Sequence, residues 1–216
     1  RMKLGGLQTE QGFLSAEQCQ AKADSFSPSR VRGSYSVQNG IAIIPVDGSL
    51  VHKSGYVDSS SGIRGYDGIT AMVEDAVHNT QVKGILLDVD SGGGQVAGVH
   101  DLSKFLAKAG KMKPMITYTG GTMASAALWS GSSGKKVFAS ESAMVGSLGI
   151  LVMHVDRTEQ LAKEGLKVEV IRAGSHKALS NPYEKLSEEA KAEMEDQAQA
   201  FYSLFLDHVA EQRGLN

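Results

Sequence analysis

The sequence predicts an α/β domain built on a largely parallel sheet with flanking helices, and three observations carry that expectation. Compact apolar runs alternate with stretches of helical periodicity from residue 41 onward. Several runs end in glycine-rich turns, "DVDSGGGQVAG" and "TYTGGTMASAA" among them. With 216 residues, 41% of them hydrophobic and 21% charged, the chain has the composition of an ordinary globular domain.

Residues 1–39 are polar, and "SFSPSRVRGS" reads as loop, so a loosely ordered arm is expected ahead of one domain at 40–216. "IAIIPVDG" (41–48) is an apolar run closed by Asp-Gly, a buried strand. The Gly/Ser-rich stretch 52–68 reads as a mobile loop. "ITAMVEDAVHN" sets Ile69, Met72, Val73 and Ala76 on one helical face. "KGILLDVD" is a second strand; "SGGGQVAG" then turns into a helix carrying Val99, Leu102 and Leu106. "KPMITYTG", "KKVFAS" and "LKVEVIRAG" supply three more strands, with the helical "DRTEQLAKEG" before the last. A final amphipathic helix starts near Ser187, where Glu188 and Glu189 suit the positive end of its dipole.

A net charge of −2 gives no footprint for a nucleic-acid partner. The single cysteine, Cys19, excludes an intrachain disulfide framework and fits a reducing compartment. No apolar run is long enough to span a bilayer, and the N-terminus lacks the apolar segment of a signal peptide.

In parallel α/β folds ligand sites gather at the carboxyl ends of strands, and two glycine-rich segments fall there. "DSGGGQVAG" lacks the G-x-G-x-x-G spacing and has no Gly-Lys-Ser/Thr, so neither a dinucleotide loop nor a phosphate loop is expected. It serves either as a tight strand–helix connection or as a backbone amide aimed at a developing oxyanion. Ser125 sits among Ala124, Ala126 and Ala127 but outside G-x-S-x-G. None of the six histidines is placed by motif to form a triad; His78, His100 and His208 read as solvated helix positions, and Lys135 and Lys136 as solvent-facing. Lys177 follows an apolar strand in a Gly-Ser-His-Lys turn, and Ser147 lies in "MVGSLGI". A lysine serves as a base only when neutral, which takes burial that lowers its pKa from about 10.4 toward 7.

Taken in order, "DVDSGGGQVAG", "GGTMASAALWS", "MVGSLGI" and "AGSHKALSNPYEKLSEEA" resemble the S49 serine peptidases, over about residues 40–212. The resemblance implies a ClpP/crotonase-like fold and a Ser-Lys dyad, with no metal or cofactor. Ser125 would be the nucleophile, Lys177 the general base and Ser147 the group that orients the lysine. The amides of Gly94 and Ala126, with Gly93 beside them, would form the oxyanion hole. It further implies a peptide or protein substrate, and a homo-oligomer in which one subunit's serine meets its neighbour's lysine. The branch it favours is the phage or prophage head-maturation one, in the host cytoplasm or procapsid, with capsid or scaffold proteins as partners. The alternatives are a membrane-anchored signal peptide peptidase whose N-terminal segment has been removed, a crotonase-type acyl-CoA enzyme and a non-catalytic scaffold. The chain departs from the family at Gly92, where proline is common, and at Ala126 and Ala127, where two glycines are common.

Overall fold

A computed structural model describes residues 35–54 and 62–215, together with two short paired strands near the N-terminus, β1 (Gln8–Thr9) and β2 (Gly12–Phe13). The arm expected at 1–39 otherwise lies, up to residue 34, outside the described residues, as does the middle of the loop expected at 52–68. The remaining strands are β3 (Ser36–Gln38), β4 (Ile41–Val51), β5 (Ile63–Gly65), β6 (Gly84–Gly94) and β7 (Met115–Thr119), then β8 (Thr122–Ala124), β9 (Val137–Ala139) and β10 (Met144–Gly146). The helices are α1 (Tyr66–His78), α2 (Val99–Met112), α3 (Ala126–Gly131), α4 (Thr158–Lys163) and α5 (Glu188–Arg213).

β6 is the spine of the sheet. It runs parallel to β4 along its length, and its first half also pairs with β7, from Ile85↔Met115 to Asp88↔Tyr118. Past Asp88 the partner changes: Ser91 pairs with Met123 of β8. β9 extends the β7 side and β10 the β8 side, both parallel, and β5 joins β4 in parallel; β3 pairs antiparallel with β4. The sheet therefore forks at β6. Gly120 and Gly121 make the step between the two prongs, and the Asp90 carboxylate accepts the Thr122 N–H there at 3.0 Å. An α/β architecture with a mostly parallel sheet is thus as the alternation of apolar runs and helical periodicity predicts.

The core takes Ile44, Val46 and Leu50 from β4, Ile85, Leu87 and Val89 from β6, and Ile69, Met72 and Val73 from α1. α2 adds Val99, Leu102 and Leu106, the stripe its periodicity predicts. α3 and α5 meet through stacked rings, Trp129 on Phe205, with centroids 4.7 Å apart and planes 4° from parallel. Ser187 caps α5 as expected, its hydroxyl accepting the Ala190 N–H at 3.1 Å. No helix among the described residues is long and apolar enough to cross a membrane.

Three expectations are corrected. The glycine run 92–94 is the end of β6 rather than a turn, because β4 continues beside it through Leu50↔Gly94. "LKVEVIRAG" forms no strand: a strand needs a neighbour to pair with, and the described part of the chain offers it none. Leu166, Val168 and Ile171 are exposed, Ile171 at 95%, while Val170 is half-buried.

The third correction concerns His208, which is buried on α5. Its Nε2 lies 3.0 Å from the Ser133 hydroxyl, which itself donates to Ser103 O. Burial lowers the His208 pKa from its ordinary 6.5; His100 and Arg213 push it the same way and Glu211 opposes them. Above pH 6.5 the ring is neutral folded or unfolded; below it the unfolded chain binds a proton that the folded chain resists. Thermal stability is therefore expected to be fully present above that pH and to decline as pH falls toward the lowered folded value. Melting curves at pH 7.5 and 5.5 check this, and His208→Gln should flatten the difference.

Candidate active site

Ser125 is the single residue between β8 and α3, held at φ 53° and ψ −123°. That is a costly conformation for an L-residue, and such strain collects at functional sites. The main chain fixes it from both sides: Ser125 N donates to Gly146 O at 3.0 Å, and Trp129 N donates to Ser125 O at 2.9 Å. A serine on a strained strand-to-helix turn is the structural setting of a nucleophile elbow, reached here without the G-x-S-x-G pattern. The small neighbours have a physical reason, since Ala126 and Ala127 are buried against the core.

The end of β6 presses on this turn. Gly93 has φ 103°, and a Cβ there would stand 2.7 Å from Ser125 Cβ and 3.0 Å from Ala126 N. Glycine at 93 is therefore what lets the β6 backbone reach the serine. Gly93 N–H is already used, donating to Ser91 Oγ at 3.1 Å, while Ser91 Oγ donates to Gly48 O at 2.5 Å. Buried Ser91 thus ties the glycine end of β6 to the bulge of β4, where the register shifts between Asp47 and Ser49. With the Gly93 amide occupied, Gly94 and Ala126 remain as the candidate oxyanion donors. Ala126 is the first residue of α3, and its N–H has no intrahelical acceptor by position.

Ser91 is the residue that sequence reasoning missed. The signal was present as a small hydroxyl immediately before a glycine run at a strand end. Ser91→Ala is expected to destabilise the fold by about 1–3 kcal/mol, since a half-buried acceptor, Gly48 O, and a buried donor, Gly93 N–H, lose their partner. Urea midpoints of the two proteins check it.

Ser125 opens into a pocket of about 540 Å³, lined also by Ser147, Val96, Leu148, Ile150 and Leu151 and by the backbone at Gly92 and Gly94. Ser147 arrives by register: Gly146↔Ala124 pairs the ends of β10 and β8, so the next residue of each strand is Ser147 and Ser125. Ser147 also has a positive φ, 56°. Ser125, Ser147, Gly93, Gly94 and Ala126 therefore gather at one place. No histidine lines this pocket, and neither does Lys177.

Lys177 is exposed, in a turn where its N–H donates to Gly174 O at 3.1 Å. The loop around it is held by Glu184, which accepts from Asn181 Nδ2 at 2.7 Å and pairs with Arg172. The Asn181 hydrogen bond, followed by that of Arg172, holds the Glu184 carboxyl below its usual range. Within one chain, then, the expected base lies outside the lining of the serine's pocket.

Comparison with known proteins bears on this geometry. The family model described as "Peptidase family S49" matches residues 107–216. The chain is 36% identical to head-tail preconnector protein GP5 of Enterobacteria phage P21 over 203 residues, 94% of this chain and 40% of that protein. It is 33% identical to capsid assembly protease C of Escherichia phage lambda over 193 residues, 89% of this chain and 44% of that protein. The chain thus spans less than half the length of these curated relatives. Among solved structures, an enoyl-CoA hydratase from Mycobacterium avium subsp. paratuberculosis is similar at TM-score 0.40 and 14% identity, over 83% of this chain and 80% of that one. That likeness is loose and adds nothing to the architecture described above.

Proposed function

Because this chain belongs to peptidase family S49, we propose that it is a serine endopeptidase of the phage head-maturation kind, with Ser125 as nucleophile and Lys177 as general base. The observation that carries the reading is the strained Ser125 turn, with Gly93 pressed on it and Ser147 opening into the same pocket. Lys177 Nζ takes the Ser125 proton as Oγ attacks the scissile carbonyl, and the Gly94 and Ala126 amides hold the oxyanion. The lysine returns its proton to the leaving amine, and water, deprotonated the same way, releases the acyl group. Apolar Val96, Leu148 and Ile150 favour a small or apolar side chain next to the cut bond.

The lysine comes from a neighbouring subunit. Two features support this. Lys177 does not line the Ser125 pocket within one chain. The stretch from β10 to Ile171 also leaves large apolar side chains in solvent, Leu151 at 80% and Met153 at 77% exposure. Such surface is what an assembly covers, and covering it would supply the dry surroundings a neutral lysine needs. The substrates are capsid or scaffold proteins, met in the host cytoplasm or the procapsid. Mixing Ser125→Ala protein with Lys177→Ala protein under conditions of subunit exchange tests the shared site. Hydrolysis should return in the mixture, and a mixture as inactive as its components overturns it.

A further inference from the structure

On the far side of residues 92–94 lies a second pocket, about 570 Å³, that shares Gly92 and Gly94 with the Ser125 pocket. The floor between the two is open, because a side chain at Gly92 would meet nothing within 4 Å. A peptide lying across the Gly94 amide with its carbonyl at Ser125 therefore has room to continue into the second pocket. That pocket is polar: Ser49, Ser91 and Thr122 line it, and Asp90 is its one charged lining residue. Asp90 and Gly92 are two apart on β6 and share its exposed face, which turns the carboxylate toward the shared floor.

The Asp90 carboxylate is held but not neutralised. Thr122 N–H fixes Oδ1 at 3.0 Å, and no lysine or arginine among the described residues pairs with it. Its neighbour across the ladder differs: Asp47, in register with Asp90, is bound by Arg64 at 2.5 Å. One carboxylate of this cross-strand pair is thus satisfied internally, and the other faces a cavity of side-chain size.

We propose that Asp90 and its pocket bind a cationic side chain of the substrate, lysine or arginine, at one position near the cleaved bond. The inference rests on the peptidase reading above and adds a charge preference to the apolar preference of the Ser125 pocket. Its test is a set of fluorogenic peptides with an apolar residue at the cleaved position, carrying lysine or its uncharged analogue norleucine at each flanking position in turn. Wild-type protein should favour lysine at one position by about threefold, the size an exposed ion pair carries. Raising the salt should shrink that preference, and Asp90→Asn, which keeps an acceptor for Thr122 N–H, should cut both peptides equally. Equal rates at every position, or a preference that salt and Asp90→Asn leave intact, overturn the proposal while the peptidase reading stands. Absence of Ser125-dependent cleavage of any peptide overturns both.

Discussion

Replacing Ser125 with alanine is expected to lower peptide hydrolysis by about 10,000-fold or more while leaving the fold in place. The two interactions that fix the turn, Ser125 N to Gly146 O and Trp129 N to Ser125 O, both belong to the main chain. Alanine keeps the Cβ against which Gly93 packs, and it pays the same backbone strain at φ 53°. Only the attacking oxygen is lost. Turnover of a fluorogenic peptide, measured beside the urea midpoint, separates the two quantities. An alanine variant that keeps more than a few per cent of wild-type turnover removes Ser125 from the role given to it.

Gly94→Ala is expected to do the opposite and damage both. A Cβ at position 94 would sit 1.8 Å from Leu50 O, and the obstacle is backbone rather than the end of a flexible side chain. No rotamer relieves that collision, so β4 and β6 must separate where Leu50 and Gly94 pair. Overpacking typically costs about 1–3 kcal/mol, and a clash with a ladder carbonyl belongs at or beyond the upper end. The same displacement moves the amide proposed to hold the oxyanion. Stability and turnover should therefore fall together, whereas in Ser125→Ala turnover falls alone. A Gly94→Ala protein with a wild-type urea midpoint would mean that the Leu50 contact is slack.

Much of the fold was legible because local pattern and tertiary need agree in it. The stripe of Val99, Leu102 and Leu106 and the Ser187 cap follow from helical geometry alone, and both are found where periodicity sets them. Where they disagreed, the missing information was the partner. "VEVI" has the composition of a strand but no neighbour in the described chain, and composition says nothing of neighbours. His208 reads as a polar helix position; only the packing of α5 on Ser133 and Ser103 shows it buried. At the candidate site, the resemblance brought out Ser125, Ser147 and the glycines; Ser125 and Ser147 each follow a strand end and Gly92–Gly94 close β6, so parallel register sets them at one edge. Ser91 escaped because its role is a contact with Gly48 O, 43 positions away. Lys177 was named from the resemblance, and a single chain does not bring it into the Ser125 pocket.

The fork in β6 has a mechanical consequence. Ser125 rides on the slighter prong, where β8 and β10 are three residues each, whereas β7 of the other prong has five. A push on the outer rim of β10 reaches the Ser125 amide through Gly146 O, and the core through the Val145↔Met123 pair. A chain that docks along that rim would therefore bear on the Ser125 turn through a single carbonyl, that of Gly146.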